Sequence, residues 1–367
     1  MEKNQKRLIV FMPSMDGGGV EKNIIIVTNY LSNFIEKITL ITFDKRFNNQ
    51  FKKNIQIINV QKNYNKHYSK YYKYFFCLKI LARKVIADRN ISVFAFQANV
   101  YCIILSKILN FKLIVRSNSS PSGWTNSWIK NFIFKVLFES PDFVIVNSFQ
   151  FAKEIYKKFN IRAKVIYNPL NKSEILKKCK HKINFNFRYK KSLKIINIAR
   201  FTDQKDHLTL LEAFKKVNTK INAELLIMGY GANKKIICDF IKDHNLETKI
   251  KVIGFQKNPY PFIKKADIFV LTSLYEGLPN VLLEALTLKK FIISSDCPTG
   301  PKEILENGKY GFLFKIKDAK QLTSLIIKYS KNKKLYNKKV FLAYKSLQRF
   351  DFNTCCNKYL SLVKKII

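Results

Sequence analysis

Short apolar runs alternate with amphipathic stretches along almost the whole chain. In the first half, RLIVFM, KITLITF, IQIINV, ISVFAF, FKLIV and DFVIVN are continuous apolar runs of strand length, the pattern of strands covered on both faces. Between them the spacing predicts helices around Val20–Phe34, Ser69–Ala87, Val100–Leu109, Asn126–Phe138 and Phe149–Phe159. Alternation of this kind means parallel strands joined by right-handed helical crossovers. Tyr167, Asn168 and Pro169 break the pattern, and the polar, lysine-rich stretch 171–191 reads as a linker. A second series opens at Leu193–Arg200 and runs through AELLIMG, KIKVIGF, DIFVL and FIISS. The last stretch, 344–367, is helical and belongs cleanly to neither series. The expected fold class is α/β, two Rossmann-like domains (1–170 and 192–343) facing a central cleft.

Composition agrees with two domains: 367 residues, 47% of them hydrophobic, are too many for one ordinary core. The formal net charge of +42, from 67 Lys+Arg against 25 Asp+Glu, suggests acidic partners such as phosphorylated substrates, anionic lipid or nucleic acid. A general bias towards Lys, Asn and Ile gives the same charge with most lysines merely solvated. Seven scattered cysteines form no C-x-x-C pair, which argues for free thiols in a reducing compartment. The four histidines are scattered and D-x-D is absent, so no metal or other cofactor is expected. The apolar run Leu8–Met12 is too short for a signal core, and Lys107 and Lys112 interrupt the longest apolar stretch, Val100–Val115. The expected location is cytoplasmic, or peripheral on the inner face of a membrane.

The most informative stretch is SLYEGLPNVLLEAL, Ser273–Leu286, directly after the run DIFVL. Pro279 suits the first residue of a helix, since the amide hydrogen it lacks would be unpaired there. The N–H groups of that first turn, including Asn280, make a seat for phosphate. Glu276 in the preceding turn and Glu284 inside the helix supply acceptors for sugar hydroxyls. Donors for phosphate and acceptors for a polyol together are what a nucleotide-sugar needs. Glu276 and Glu284 have seven residues between them, and EGLPNVLLEAL resembles the signature of glycosyltransferase family 4, retaining enzymes of the GT-B fold.

That resemblance implies that the C-terminal domain binds the nucleotide-sugar, the N-terminal domain the acceptor, and that the final helix crosses back onto the N-terminal domain. Further motifs lie at the ends of predicted strands, where crevices of open α/β sheets bind ligands. Asp16-Gly17-Gly18-Gly19-Val20-Glu21 is similar to the family's GG-x-E loop on the acceptor side, although a tight turn alone also explains it. Arg116 and Asn118 are candidates for a phosphate and an acceptor hydroxyl, or a loop cap. Arg200 and Lys205 resemble the family's donor-diphosphate pair, suited by a bidentate guanidinium and a flexible ammonium. His207 is expected to make a helix-start contact. Gly254 and Phe255 lie where the family contacts the nucleotide base. Asp296–Glu303 resembles a string of enzymes that build bacterial surface polysaccharides, and Glu303 also suits a helix start.

The resemblance implies a retaining glycosyltransferase that moves a hexosyl or N-acetylhexosaminyl group from a nucleotide-sugar, UDP-sugar favoured, to a saccharide or lipid-linked saccharide in surface polysaccharide or lipopolysaccharide synthesis. Glu276, Arg200 and Lys205 carry the catalysis; Glu284, Gly277, Leu278, Pro279, Asn280, Gly254 and Phe255 bind the donor; Gly17, Gly18, Gly19, Arg116 and Asn118 face the acceptor. No metal is required and no nucleic acid partner is expected. An inactive GT-B scaffold and a basic nucleic-acid-binding protein are the alternatives; a sugar phosphorylase would need a cofactor lysine and a longer chain. An anionic membrane surface is a further expected partner. Over Lys66–Arg89, Tyr71, Phe75, Leu78, Leu81 and Val85 follow helical spacing, flanked by Lys70, Lys73, Lys79, Arg83 and Lys84. Either that stripe lies in a lipid headgroup layer or it packs as a crossover helix against the sheet.

Overall fold

A computed structural model describes residues 7–15, 17–60, 68–118 and 127–367, Lys130 by its backbone only. Asp16 of the glycine loop, Lys66 and the first residue of the helix expected from Asn126 lie outside the described residues. The chain forms two compact units: Met1–Pro169 with Phe352–Ile367, and Leu170–Asp351.

In the first unit β1 (Arg7–Phe11), α1 (Gly19–Leu31), β2 (Lys37–Thr42), β3 (Ile55–Asn59), α2 (Lys70–Ala87) and β4 (Ile91–Ala95) are followed by α3 (Asn99–Leu109), β5 (Leu113–Arg116), α4 (Trp128–Phe138), β6 (Phe143–Val146), α5 (Phe149–Phe159) and β7 (Lys164–Val165). The seven strands are all parallel, in the order β3-β2-β1-β4-β5-β6-β7. Successive side chains of a strand point to opposite faces, so β1 feeds two cores at once. Ile9 and Phe11 pack with Leu81, Val85 and Cys102 of α2 and α3. Leu8 and Val10 pack with Ile24 and Val27 of α1.

The apolar stripe expected on α2 therefore divides. Leu81 and Val85 are fully buried against the sheet, Leu78 is half-buried, and Tyr71 and Phe75 are exposed. Lys73 does not belong with the solvated lysines: its ammonium pairs with Asp44 at 2.9 Å. Asp44 in turn accepts the Met15 N–H at 2.8 Å, so this pair fastens the loop after β1.

The second unit runs through α6 (Lys172–Lys178), β8 (Leu193–Ile198), α7 (His207–Asn218), β9 (Ala223–Met228), α8 (Lys234–Asp243), β10 (Ile250–Ile253), α9 (Tyr260–Lys265) and β11 (Ile268–Leu271). It continues with α10 (Asn280–Thr287), β12 (Phe291–Ser295), α11 (Pro301–Ile304), β13 (Phe312–Phe314), α12 (Ala319–Lys331) and α13 (Lys333–Ser346). Its parallel sheet has the order β10-β9-β8-β11-β12-β13. The stretch 171–191, expected as a linker, is part of this unit: it holds α6, and Phe185 packs on Phe262 with ring centroids 5.5 Å apart. Its lysines hide that role in the sequence, because the anchoring apolar residues are few.

After α13 the chain leaves the second unit at Asp351, and α14 (Phe352–Val363) closes the first unit. The crossing point is thus later than residue 344, and α13 ends within the second unit. Tyr359 and Val363 of α14 join the core beside α1. Ser92 Oγ donates to the Ile366 carbonyl at 2.6 Å.

Candidate active site

In the second sheet, β8 and β11 are neighbours although α7, β9, α8, β10 and α9 separate them in the chain. The strand order reverses between them, which leaves a crevice at their carboxyl ends. Arg200 and Lys205 come from the loop after β8, and Ser273–Pro279 from the loop after β11. The two loops are stitched together. Gln204 Nε2 donates to the Tyr275 carbonyl at 2.8 Å, the Leu274 N–H to the Gln204 carbonyl at 2.8 Å, and Thr272 Oγ1 to the Lys205 carbonyl at 2.8 Å.

This stitching joins the ammonium of Lys205 to the carboxylate of Glu276 at 2.5 Å. Both side chains are largely buried, and Ser273 Oγ donates to the same carboxylate oxygen at 2.7 Å. A carboxylate held on one oxygen by two donors presents its other oxygen in a fixed direction. Arg200 is exposed and holds no ion pair among the described residues, so its guanidinium is available to an anionic ligand.

A third loop supports the second from below. Thr299 Oγ1 donates to the Glu276 carbonyl at 2.5 Å, and Ser295 Oγ to the Ser273 carbonyl at 2.6 Å. Gly300, at φ +90°, lies so close that a Cβ there would sit 2.2 Å from the Gly277 carbonyl oxygen. The string Asp296–Glu303 thus acts through the backbone of Glu276 and Gly277.

Pro279 is the N-cap of α10 rather than its first residue; its ψ of 105° is still extended, and Asn280 opens the helix. Gly277, Leu278 and Pro279 are buried. Glu284 faces inward at 5% exposure, although its place mid-helix in a basic chain also suits a solvated residue. The Tyr260 hydroxyl hydrogen-bonds it, and burial with the charges of Glu284 and Glu174 raises the Tyr260 phenol above its usual range. Tyr260 gives no motif-level signal in the sequence; only the packing of α9 against α10 brings it to Glu284.

Gly254 and Phe255 follow β10. Phe255 is half exposed and meets Tyr230, after β9, edge-on at 5.8 Å, which leaves an aromatic platform open to a planar ligand. The glycine after β9 has a strict role that the sequence reading passed over. A Cβ on Gly229 would lie 1.9 Å from the Ala199 carbonyl, so only glycine lets that loop lie against the one carrying Arg200.

His207 is the first residue of α7, after its N-cap Asp206, whose side chain accepts the Thr209 N–H. The imidazole itself makes no helix-start contact. It is buried edge-on against Phe201 at 5.3 Å, and neither ring nitrogen has a hydrogen-bond partner among the described residues. Burial, with the charge of Lys205, lowers its pKa to about 4, so the ring is neutral.

The candidates in the first unit fare differently. Gly17 turns the chain at φ +90°, and Gly18 caps α1 with its N–H donated to the Glu21 carboxylate at 2.8 Å. Glu21 is thereby committed to the helix start with Gly19 as its first residue. Arg116 is fully buried, so the expected exposed phosphate ligand is instead an interior side chain. Its Nε donates to the Tyr359 hydroxyl at 2.9 Å and its Nη2 to Asn168 Oδ1 at 2.6 Å. Asn118 donates to the Phe96 carbonyl at 2.7 Å, the loop-cap role, and its Oδ1 has no partner among the described residues. Among the described residues no group of three His, Cys, Asp or Glu converges as a metal site, and no helix is long and apolar enough to cross a membrane.

Residues 180–344 match the family described as glycosyl transferases group 1. An uncharacterized glycosyltransferase of Methanocaldococcus jannaschii is 33% identical over 62% of the chain, and the match spans 61% of that relative's length. An N-acetylgalactosamine-N,N'-diacetylbacillosaminyl-diphospho-undecaprenol 4-alpha-N-acetylgalactosaminyltransferase of Campylobacter jejuni is 24% identical over 97% of the chain and 99% of its own. Among solved structures, Anabaena HepE in complex with UDP and glucose superposes with a TM-score of 0.78 at 17% identity, covering 98% of this chain and 100% of that one. The two parallel α/β units are those of the GT-B fold.

Proposed function

We propose that the protein is a retaining glycosyltransferase that transfers an N-acetylhexosaminyl or hexosyl group from a UDP-sugar to a lipid-linked saccharide during assembly of a surface polysaccharide or lipopolysaccharide. The observation that carries this reading is the Lys205–Glu276 pair at the β8/β11 crossover, with Arg200 exposed in the same loop as Lys205. Breaking the bond from sugar to diphosphate leaves negative charge on the departing oxygen and positive charge on the ring. Lys205 and Arg200 oppose the first, and the fixed Glu276 carboxylate accepts from sugar hydroxyls as the second develops. Glu284 holds the ribose, and the Tyr230–Phe255 platform the uracil. Same-face attack then lets the leaving phosphate take the acceptor's proton, so both cations act without a metal. The C. jejuni relative's diphospho-undecaprenol substrate supports a lipid-linked acceptor, and with such an acceptor the enzyme would work at a membrane surface.

The test is donor hydrolysis and thermal stabilisation across UDP-, GDP- and ADP-sugars with purified protein, in the presence of EDTA. A UDP-sugar should be turned over slowly without acceptor and should raise the melting temperature. No response to any donor rejects the reading, and activity restored only by magnesium or manganese rejects the metal-free assignment.

A further inference from the structure

We propose that the exposed face shared by α2, α3 and α4 seats the protein on an anionic lipid bilayer. On α4, Trp128, Ile129, Phe132, Ile133 and Val136 recur at helical spacing, and all are exposed, Trp128 at 78% and Phe132 at 63%. The opposite side of the same helix, Phe134, Leu137 and Phe138, already packs on the core. Packing on the sheet needs one apolar side; the second has no cover among the described residues. α3 packs between α2 and α4 and shows Tyr101, Ile104 and Ile108 outward. α2 adds Tyr71 and Phe75. The apolar surface therefore runs across three adjacent helices.

Charge selects the occupant. None of the three helices contains Asp or Glu. Lys79, Arg83 and Lys84 on α2, Lys107 on α3 and Lys135 on α4 are exposed. A second copy of this chain would bring the same uncompensated positive charge to the contact. A bilayer carrying anionic headgroups takes both features: aromatic and branched side chains enter the acyl boundary while long basic side chains reach headgroup phosphates. The lipid-linked acceptor proposed above gives this docking its purpose, but the docking itself stands on the surface alone.

Flotation with vesicles of phosphatidylcholine, with and without phosphatidylglycerol, tests it. The full chain should float with the anionic vesicles only, and about 0.5 M salt should release most of it. Lys79→Gln and Arg83→Gln should each lower partitioning about five-fold. Phe132→Ser with Ile133→Ser should abolish it while circular dichroism and the melting temperature stay unchanged. In a Trp124→Phe background, Trp128 emission should shift to the blue on adding anionic vesicles. Recovery in the soluble fraction with both vesicle types overturns the proposal, as does flotation that the α4 variant leaves intact. So does a dimer in sedimentation that the α4 variant dissolves while the wild type ignores lipid. Failure here with donor turnover intact removes only this docking face; flotation without any donor turnover removes only the function proposed above.

Discussion

The Lys205 ammonium meets the Glu276 carboxylate at 2.5 Å although they stand 71 positions apart in the chain. The Lys205 carbonyl accepts from Thr272 Oγ1 and the Glu276 carbonyl from Thr299 Oγ1, so both loops hold the pair in place before any ligand arrives. Glu276→Gln keeps the size and the Ser273 contact but removes the charge. Turnover should fall roughly 10²–10³-fold, the scale of losing one preorganised electrostatic contact. Lys205→Ala should do the same and also weaken donor binding. Steady-state kinetics with a saturating UDP-sugar decide it, and wild-type rates in both variants would reject the site.

Glu284 is oriented by the Tyr260 hydroxyl, making Tyr260 a positioning residue. Removing that hydroxyl in Tyr260→Phe leaves a buried carboxylate short of one donor, a loss of about 1 kcal/mol or slightly more. The donor KM should rise roughly five- to ten-fold with kcat little changed. A purely structural role would instead lower the melting temperature without separating KM from kcat.

Gly300 is expected to tolerate no side chain. Its left-handed φ and the 2.2 Å approach of the Gly277 carbonyl mean that Gly300→Ala must push the Glu276 loop away. Conformational strain and the displaced loop should cost about 2–4 kcal/mol. Denaturant unfolding should show that loss, and donor-induced stabilisation should disappear with it.

His207 gives a pH signature. Its folded pKa, near 4, lies below the ordinary 6.5, so the unfolded chain binds the proton first as pH falls. Stability present above about pH 6.5 should decline towards pH 4 and level off below, by about 3 kcal/mol in all. His207→Phe preserves an aromatic ring against Phe201 and removes the titration. Melting temperatures of the two proteins should diverge as pH falls from 6.5 to 4; parallel curves would contradict the buried neutral ring.

The strand–helix alternation, both parallel series, the loops carrying Lys205 and Glu276 and the helix carrying Glu284 were legible from the sequence alone. The reason is local: strand length, turn residues and helix caps are written in neighbouring positions. Interior or solvent placement is not local. Arg116 reads as a ligand for phosphate because it ends a strand, yet Tyr359, from the far end of the chain, covers it and takes its hydrogen bond. Leu81 and Phe75 share one apolar period on α2, but the sheet covers only Leu81. The two-sided apolar character of α4 likewise carries no periodic signal separating a core face from an exposed one. Thr299, Gly229 and Gly300 act through loops, and Tyr260 through a helix–helix contact, that form only once the second sheet has assembled. Sequence determined which elements form and which chemistry stands at their ends; tertiary structure decided what each side chain faces, because burial depends on partners distant in the chain.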